Sequence, residues 1–184
     1  PMAFAGEAKD QGQRPTCASF ATVRGLEILL ARKEKYQELS EQYFFWASIP
    51  KCQKSPCPKQ GSWPIPGLEK SKKSHLPDIP LANNCPYQSL PIENNVVQIP
   101  LSDGCNQGKI KVKKYSLKSS IAEIISAINS NYPVIGAFRL SENFYYNKGY
   151  VFIKDVKERE KKVDQHAEGH AILLVGLISL PQEL

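Results

Sequence analysis

The apolar positions near the start of the chain recur with helical spacing. Between residues 16 and 33 they fall at steps of three and four, at Phe20, Val23, Leu26 and Leu30. This pattern predicts an amphipathic helix that follows Pro15 and takes Thr16 as its N-cap. Gly25 in its middle costs about 1 kcal/mol relative to Ala in an exposed helix, so we expect a buried helix against which another element packs closely there.

The next pattern predicts a second helix and then a long irregular region. Ser40 is a good N-cap, and the helix should continue to about Ala47 with its aromatic residues turned inward. From residue 50 to residue 100 prolines interrupt the chain repeatedly, which is typical of loops. Within that region we expect one short helix near residues 67–73.

The second half of the chain changes from helical to strand spacing. A helix is predicted over residues 119–131 and ends before Pro133. Its apolar stripe, which we expect to lie in the core, consists of Leu117, Ile121, Ile124, Ile125 and Ile128. Short runs rich in β-branched and aromatic residues follow at 134–138, 150–153 and 170–178, and they predict strands.

Helices followed by strands predict an α+β fold in a single domain. We expect a helical lobe over about residues 8–110 and a β-rich lobe over about residues 111–184. Two facing lobes would leave a groove between them, which is a common place for a binding site.

Composition limits the classes of protein to which the chain can belong. The 184 residues are 41% hydrophobic and 23% charged, close to the averages of soluble globular proteins, so neither disorder nor a fibrous repeat is indicated. The longest apolar run, residues 171–178, is far shorter than the roughly 20 residues that cross a bilayer. The net charge of +6 comes from separate lysine clusters, which favours a solvated surface over nucleic-acid binding.

The cysteines form an odd set of five: Cys17, Cys52, Cys57, Cys85 and Cys105. In an oxidising compartment four of them can pair, and we expect the bridges 52–57 and 85–105, with Cys17 left over as a reactive thiol. This usage predicts secretion or another oxidising compartment, either periplasmic or lysosome-like. The alternative is a zinc site built from the other four thiols, with His75 as a candidate fifth ligand, although the spacing is a poor match for zinc ligands.

Cys17 stands at the start of the best predicted helix, where a thiol can act as a nucleophile. A helix N-terminus and a nearby imidazolium both favour the thiolate form. The alternative is a small buried residue without a chemical role, since free cysteines are often buried and inert. The surrounding segment, DQGQRPTCASFA at residues 10–21, resembles the active-site helix start of papain-like cysteine peptidases. The resemblance implies that Gln11, six positions before Cys17, donates its amide to the oxyanion hole beside the Cys17 N–H.

Weaker motifs follow in the order that papain-like peptidases show. LSEQY at 39–43 resembles their second helix, GSW at 61–63 resembles the strand that binds the substrate backbone, and NCPY at 84–87 resembles a Pro-Tyr turn. PVIGAF at 133–138 and FYYNKGY at 144–150 resemble the strand and turn before the family's histidine. The resemblance implies substrate contacts by Gly61, Ser62, Ala137 and Gly169, with Ala137 in the main specificity pocket.

The histidine motif is GHAILLVG at residues 169–176, in which His170 opens an apolar strand. A histidine at the mouth of a buried strand can face a groove, accept the proton of a thiol and later protonate a leaving amine. We therefore expect His170 to be the base and acid. His166 is the competing candidate, but it lies in a charged loop and is expected at the surface, as is His75.

The resemblance covers nearly the whole chain and implies the two-lobed papain-like fold of a divergent, bacterial-type thiol peptidase. It implies a polypeptide substrate, no cofactor and no metal, and an inhibitory propeptide as a further partner. The same residues would also serve acyl or amide transfer. A papain-like module that binds a partner without catalysis is the rival hypothesis from a different class.

Four departures from the family pattern are visible. Ala18 replaces the aromatic residue that commonly follows the nucleophile, so the rim of the groove should be shaped differently. Arg14 replaces a cysteine, which removes a disulfide and brings a cation near the site, where it is expected to stabilise the thiolate or bind an acidic substrate. The glycine-rich stretch is reduced to Gly61. The Asn-Ser-Trp segment that orients the histidine would fall beyond Leu184, so we expect the C-terminal part of the domain to be missing. The alternatives are a tail that was cleaved from the polypeptide and a protein that lacks an orienting residue.

Overall fold

Helices come first and strands last along the chain. In a computed structural model of the chain, the residues described are 2–49, 61–72, 78–89, 103–139 and 169–178. They form the helices α1 (Cys17–Ala31), α2 (Glu41–Ser48), α3 (Pro64–Lys72) and α4 (Ile121–Asn129), the strands β1 (Val134–Arg139) and β2 (Gly169–Leu174), and short 3-10 turns at Met2–Phe4 and Asp103–Asn106. This order confirms the predicted α+β arrangement. The division into lobes near residue 110 stays a prediction.

Helix α1 packs against most of the other described elements. It contacts α2, α3, β1 and β2, and it begins and ends close to its predicted limits. A Cβ added to Gly25 would lie 3.3 Å from Leu173 Cδ1 and 3.8 Å from Pro133 Cγ. The absence of a side chain thus lets β2 and the turn before β1 approach the helix, which confirms the close packing predicted at this glycine.

A buried carboxylate ties the N-terminal segment to α1. Glu27 is fully buried and accepts hydrogen bonds from Lys9 Nζ at 2.8 Å, Arg24 Nη1 at 3.0 Å and the Leu39 N–H at 2.9 Å. Lys9 also donates to Glu41 at 2.7 Å, and burial raises the pKa of the Glu41 carboxyl. Because a buried charge is stable only when it is paired and hydrogen-bonded, these contacts hold the segment around Lys9 against α1 and the start of α2.

Helix α2 has the cap and the orientation that the sequence predicts. The Ser40 hydroxyl accepts the Tyr43 N–H at 2.9 Å and donates to the Cys85 carbonyl at 2.6 Å. Tyr43, Phe44 and Phe45 are buried, so the aromatic residues of the helix turn inward as expected. The capping hydroxyl therefore also joins α2 to the loop that carries Cys85.

Helix α3 begins at Pro64, earlier than the predicted start near residue 67. Proline is tolerated in the first turn of a helix, where the amide hydrogens have no intrahelical partner, so the prolines here do not end the helix. Gly67 lies where α3 meets α2, since a Cβ added to it would be 2.5 Å from Ser48 Oγ and 2.7 Å from Phe44 Cζ. The two helices can be this close only because residue 67 has no side chain.

A disulfide joins two of the predicted partners. Cys85 and Cys105 are bonded, with an S–S distance of 2.09 Å, and both are buried. The bond confirms the predicted 85–105 pairing and excludes the zinc site that would have used both thiols. Cys52 and Cys57, and with them the second predicted bridge, lie outside the described residues.

Helix α4 differs from the prediction in its surroundings. The expectation that its apolar stripe lies in the core is wrong for most of the stripe: Ile128 is buried and Ile124 half-buried, but Leu117, Ile121 and Ile125 are exposed. Helical spacing defines an apolar face, whereas only the neighbouring elements decide whether that face is covered. Here α4 packs on β1, which covers one side of the helix.

Strands β1 and β2 pair in antiparallel register. Ala137 lies opposite Ala171, and Phe138 lies opposite His170. The strand predicted at 134–138 is confirmed, and the one predicted at 170–178 is confirmed over Gly169–Leu174; the run at 150–153 lies outside the described residues. Among the helices described here, none has the length and apolar character needed to cross a bilayer.

The contact at Gly67 predicts a steric cost for a small substitution. A Gly67→Ala variant should lower the free energy of unfolding by about 1–3 kcal/mol, because the added methyl group overlaps Phe44 and Ser48 by more than helix propensity can offset. Urea unfolding followed by circular dichroism measures the change. Lys72→Ala, on the exposed side of the same helix, should change stability by less than about 0.5 kcal/mol. An alanine at 67 as stable as the parent would contradict the packing described.

Candidate active site

Cys17 is the first residue of α1, at the end of a tight turn. The Thr16 N–H donates to the Arg14 carbonyl at 2.8 Å across Pro15, and the fixed φ of proline suits such a three-residue turn. Thr16 occupies the N-cap position as predicted, but its side chain makes no capping hydrogen bond. The Ser19 and Phe20 N–H groups both donate to the Thr16 carbonyl, at 2.9 and 3.1 Å. Cys17 therefore lies at the positive end of the helix dipole, which favours negative charge.

The thiol of Cys17 meets the backbone of β2. The Ala171 N–H donates to Cys17 Sγ at 3.4 Å, and among the described cysteines Cys17 is the free one. His170 is the residue directly before Ala171 and is half-buried. Residues separated by most of the chain are thus brought together at this contact, while the pairing of Cys17 with His170 stays a prediction. An N–H donor directed at sulfur stabilises a thiolate more than a thiol.

Burial affects the pKa of the His170 imidazole. Loss of solvent lowers the pKa of its imidazole below the ordinary value, because burial disfavours the charged form. A neutral imidazole can accept a proton from a thiol at neutral pH. The competing histidines, His166 and His75, lie outside the described residues, so their predicted surface positions stay predictions.

Gln11 lies on the same turn that delivers Cys17. Its side-chain Nε2 donates to the Arg14 carbonyl at 2.9 Å, and its own carbonyl accepts the Tyr87 hydroxyl at 2.8 Å. The turn after Gln11 is made possible by Gly12, whose φ of 62° is in the left-handed region. The primary amide has two N–H groups, so a second donor is available beyond the one bound to Arg14.

Arg14 is not placed to bind a substrate. Its side chain is 3% exposed, and Nη1 donates to Gln42 Oε1 at 2.8 Å and to the Gln88 carbonyl at 2.6 Å. Its guanidinium carbon lies 5.1 Å from the ring centroids of both Phe45 and Tyr87. The expectation that this cation binds an acidic substrate is wrong, because the side chain is buried and its Nη1 donates to two acceptors inside the protein.

The residues predicted to contact substrate lie around the same turn and strands. Gly61 is next to the turn, since a Cβ added to it would be 3.5 Å from the Pro15 carbonyl oxygen. The Ser62 hydroxyl is buried and has no hydrogen-bond partner among the described residues. Ala137 is exposed and lies directly across the strand pair from Ala171, and Gly169 at the start of β2 has open space around its Cα.

The chain matches a known protein family over almost its whole length. The family described as papain family cysteine protease matches residues 2–179. The chain belongs to this family. The resemblance on which the sequence interpretation depends is thereby confirmed, and with it the assignment to the cysteine peptidases. A comparison with curated protein sequences finds no match.

Solved structures of the papain family share the fold. The Carica candamarcensis cysteine protease CMS1MS2, in complex with E-64, superposes with a TM-score of 0.60 at 19% identity, over 95% of this chain and 73% of that one. Xylellain, a cysteine protease from the bacterium Xylella fastidiosa, superposes with a TM-score of 0.67 at 16% identity, over 92% of this chain and 65% of that one. Digestive procathepsin L 3 of Tenebrio molitor superposes with a TM-score of 0.66 at 20% identity, over 94% of this chain and 51% of that one. At these identities the likeness establishes the two-lobed α+β fold, of which the chain spans about half to three quarters in length.

Sequence reasoning missed the contacts that Tyr87 makes with the turn before α1. The motif NCPY was interpreted as a turn, yet the Tyr87 hydroxyl contacts both Gln11 and Thr16, at 2.8 and 2.7 Å. No periodicity links residues this far apart in the chain. The available signal was chemical, because a tyrosine beside a buried disulfide brings a hydroxyl that needs a partner.

The environment of His170 predicts its titration. In a Cys17→Ala variant, which has no thiolate, the His170 imidazole should titrate below the ordinary value of about 6.5, because burial disfavours its charged form. The unfolded chain then binds more protons at this residue, so the free energy of unfolding should fall as the pH drops from about 6.5 through the folded pKa. Histidine NMR measures the titration, and a Cys17→Ala, His170→Gln variant assigns the resonance. A pKa at or above the value in the unfolded chain would contradict the burial argument.

Proposed function

We propose that the chain hydrolyses peptide bonds, with Cys17 as nucleophile and His170 as base and acid. The observation that carries this proposal is the 3.4 Å contact between the Ala171 N–H and Cys17 Sγ. It fixes the thiol at the residue next to His170, at the start of a helix. Family membership supports thiol chemistry, and the geometry supports these two residues as the ones that perform it.

The first half of the reaction forms a thioester. The Cys17 thiol loses its proton to the His170 imidazole, and the sulfur electron pair attacks the carbonyl carbon of the scissile peptide. The carbonyl π electrons move to oxygen and make an oxyanion. When the tetrahedral intermediate collapses, the C–N bond breaks, and His170 gives its proton to the departing amine.

The oxyanion needs donors that are in place before the reaction begins. The Cys17 backbone N–H and the second N–H of the Gln11 amide are the two donors in this proposal. Both belong to the turn between residues 11 and 17, and the bond from Gln11 Nε2 to the Arg14 carbonyl restricts the orientation of the amide.

The second half returns the enzyme to its starting state. Water attacks the thioester carbon while His170 accepts one of its protons, and the C–S bond breaks to release a carboxylic acid. The proton on His170 returns to the Cys17 sulfur. No electron donor or acceptor is required, and an amine in place of water would give amide transfer by the same steps.

The substrate class and the compartment follow from the same proposal. The substrate is a polypeptide, and the Cys85–Cys105 bridge supports an oxidising compartment, such as the outside of a cell. Ala137, Gly61, Ser62 and Gly169 are proposed to line the substrate site. The inhibitory propeptide stays a prediction; the structural neighbours include a procathepsin and a bromelain precursor.

Covalent labelling tests the nucleophile. Treatment with the epoxide E-64 near neutral pH should add one equivalent to Cys17, as mapped by peptide mass spectrometry, and a Cys17→Ser variant should remain unlabelled. Turnover of a fluorogenic peptide amide should fall by at least about 10³-fold in that variant. Ser19→Ala is the matched control, because the Ser19 hydroxyl on the same helix is buried without a hydrogen-bond partner among the described residues, and it should retain labelling and turnover.

The outcomes separate the rival functions. No labelling of Cys17 and no turnover would overturn the peptidase proposal and favour a module that binds polypeptides without cleaving them. Turnover that persists in Cys17→Ser would overturn the choice of nucleophile. If the parent protein joins a small amine to the acyl group faster than it hydrolyses the substrate, amide transfer replaces hydrolysis as its reaction.

A further inference from the structure

A tyrosine hydroxyl connects the turn before α1 to the proposed oxyanion donor. The Tyr87 hydroxyl donates to the Gln11 carbonyl at 2.8 Å and lies 2.7 Å from Thr16 Oγ1. Since the single Tyr87 proton goes to Gln11, the Thr16 hydroxyl donates to the Tyr87 oxygen. One side chain from the loop after the disulfide thus joins both ends of the segment between residues 11 and 16.

The ring of Tyr87 is itself held on two sides. The Arg14 guanidinium carbon lies 5.1 Å from its centroid, and the Phe20 ring of α1 meets it edge-on at 4.8 Å with an interplanar angle of 84°. Cation–π and edge-to-face contacts of this kind restrict the orientation of a ring. Arg14 is fixed in turn by Gln42 and by the Gln88 carbonyl. The hydroxyl therefore has little freedom to move away from Gln11.

Gln11 is bound at both of its ends by this group of residues. Tyr87 holds its carbonyl and the carbonyl of Arg14 holds its side-chain amide, at 2.8 and 2.9 Å. Elsewhere the segment is exposed at Gly12 and Gln13. Without these two hydrogen bonds, few contacts would fix the direction in which the amide points.

We propose that Tyr87 is a positioning residue that holds the Gln11 amide in the geometry needed to bind the oxyanion, with Arg14 as the support of the tyrosine ring. The inference rests on the proposed function. Tyr87 touches no reacting atom and acts through Gln11. Displacement of a catalytic donor by about 1 Å can cost 10²-fold in rate, so a remote hydroxyl can control turnover.

A Tyr87→Phe variant removes the hydroxyl and keeps the ring that packs on Arg14 and Phe20. We expect kcat/KM for a peptide amide to fall about tenfold, mainly through kcat, since one hydrogen bond is lost. The rate at which iodoacetamide alkylates Cys17 should stay within about twofold, because displacement of iodide by sulfur forms no oxyanion. Tyr115→Phe is the matched control: it removes a hydroxyl that donates to Glu69, and it should change neither rate.

A double-mutant cycle with Gln11→Ala decides between positioning and general support of the fold. Gln11→Ala alone should lower kcat/KM by about 10²-fold. In that background the further change Tyr87→Phe should cost less than about twofold, because the group on which it acts is gone. If Tyr87→Phe fails to fold by circular dichroism, Thr16→Val, which removes the hydroxyl that donates to Tyr87, takes its place in the cycle.

Three results would overturn the inference. These are an unchanged kcat/KM in the single variant, equal fold losses in both backgrounds, and a loss of alkylation that matches the loss of turnover. A parent protein without peptidase activity would remove the proposed function and this inference together. If the parent protein is active but the losses of kcat/KM from Tyr87→Phe and Gln11→Ala simply multiply in the double variant, this inference alone is overturned.

Discussion

The proposed site depends on the packing of helix α1 against strand β2. The helix brings Cys17 from the start of the chain, and the strand brings His170 from near its end. Two of the contacts between them are decisive: Leu173 packs over Gly25 in the middle of the helix, and the Ala171 N–H reaches Cys17 Sγ at the helix start. A larger side chain at residue 25 would press on Leu173 and shift the strand, and His170 would move with it. Apolar packing between the two elements thus sets the geometry of a polar site.

Polar contacts, in contrast, shape the segment that leads into α1. Lys9 is held by Glu27 and Glu41, and Arg14 is enclosed by two aromatic rings and two hydrogen bonds. Among the described residues no carboxylate pairs with Arg14, and burying such a guanidinium costs several kcal/mol. Charge-assisted hydrogen bonds and cation–π contacts contribute about 1–3 kcal/mol each. Only the combination offsets the cost. Arg14 stands where the family resemblance predicts a cysteine. Its buried guanidinium connects the turn before α1 to α2 and to the loop after the disulfide.

The helices and strands of the described regions, and their order, could be predicted because they depend on local spacing and caps. Ser40 caps α2 as predicted, and Gly25 predicts a close contact without indicating which element makes it. The errors have local causes as well. Pro64 begins α3 because the first turn of a helix needs no amide hydrogen, and the stripe of α4 has helical spacing whether or not another element covers it.

The sequence by itself determined the class of chemistry. It supplies a cysteine at a helix start, a glutamine six positions before it and a histidine at a strand start, all in the order of the papain family. Only the tertiary structure decided which groups touch. The direction of the Arg14 side chain into the protein, the Ala171 donor to sulfur and the two bonds of the Tyr87 hydroxyl join residues far apart in the chain. Local propensity carries no information about such contacts, because each exists only where independent elements pack at particular distances and angles.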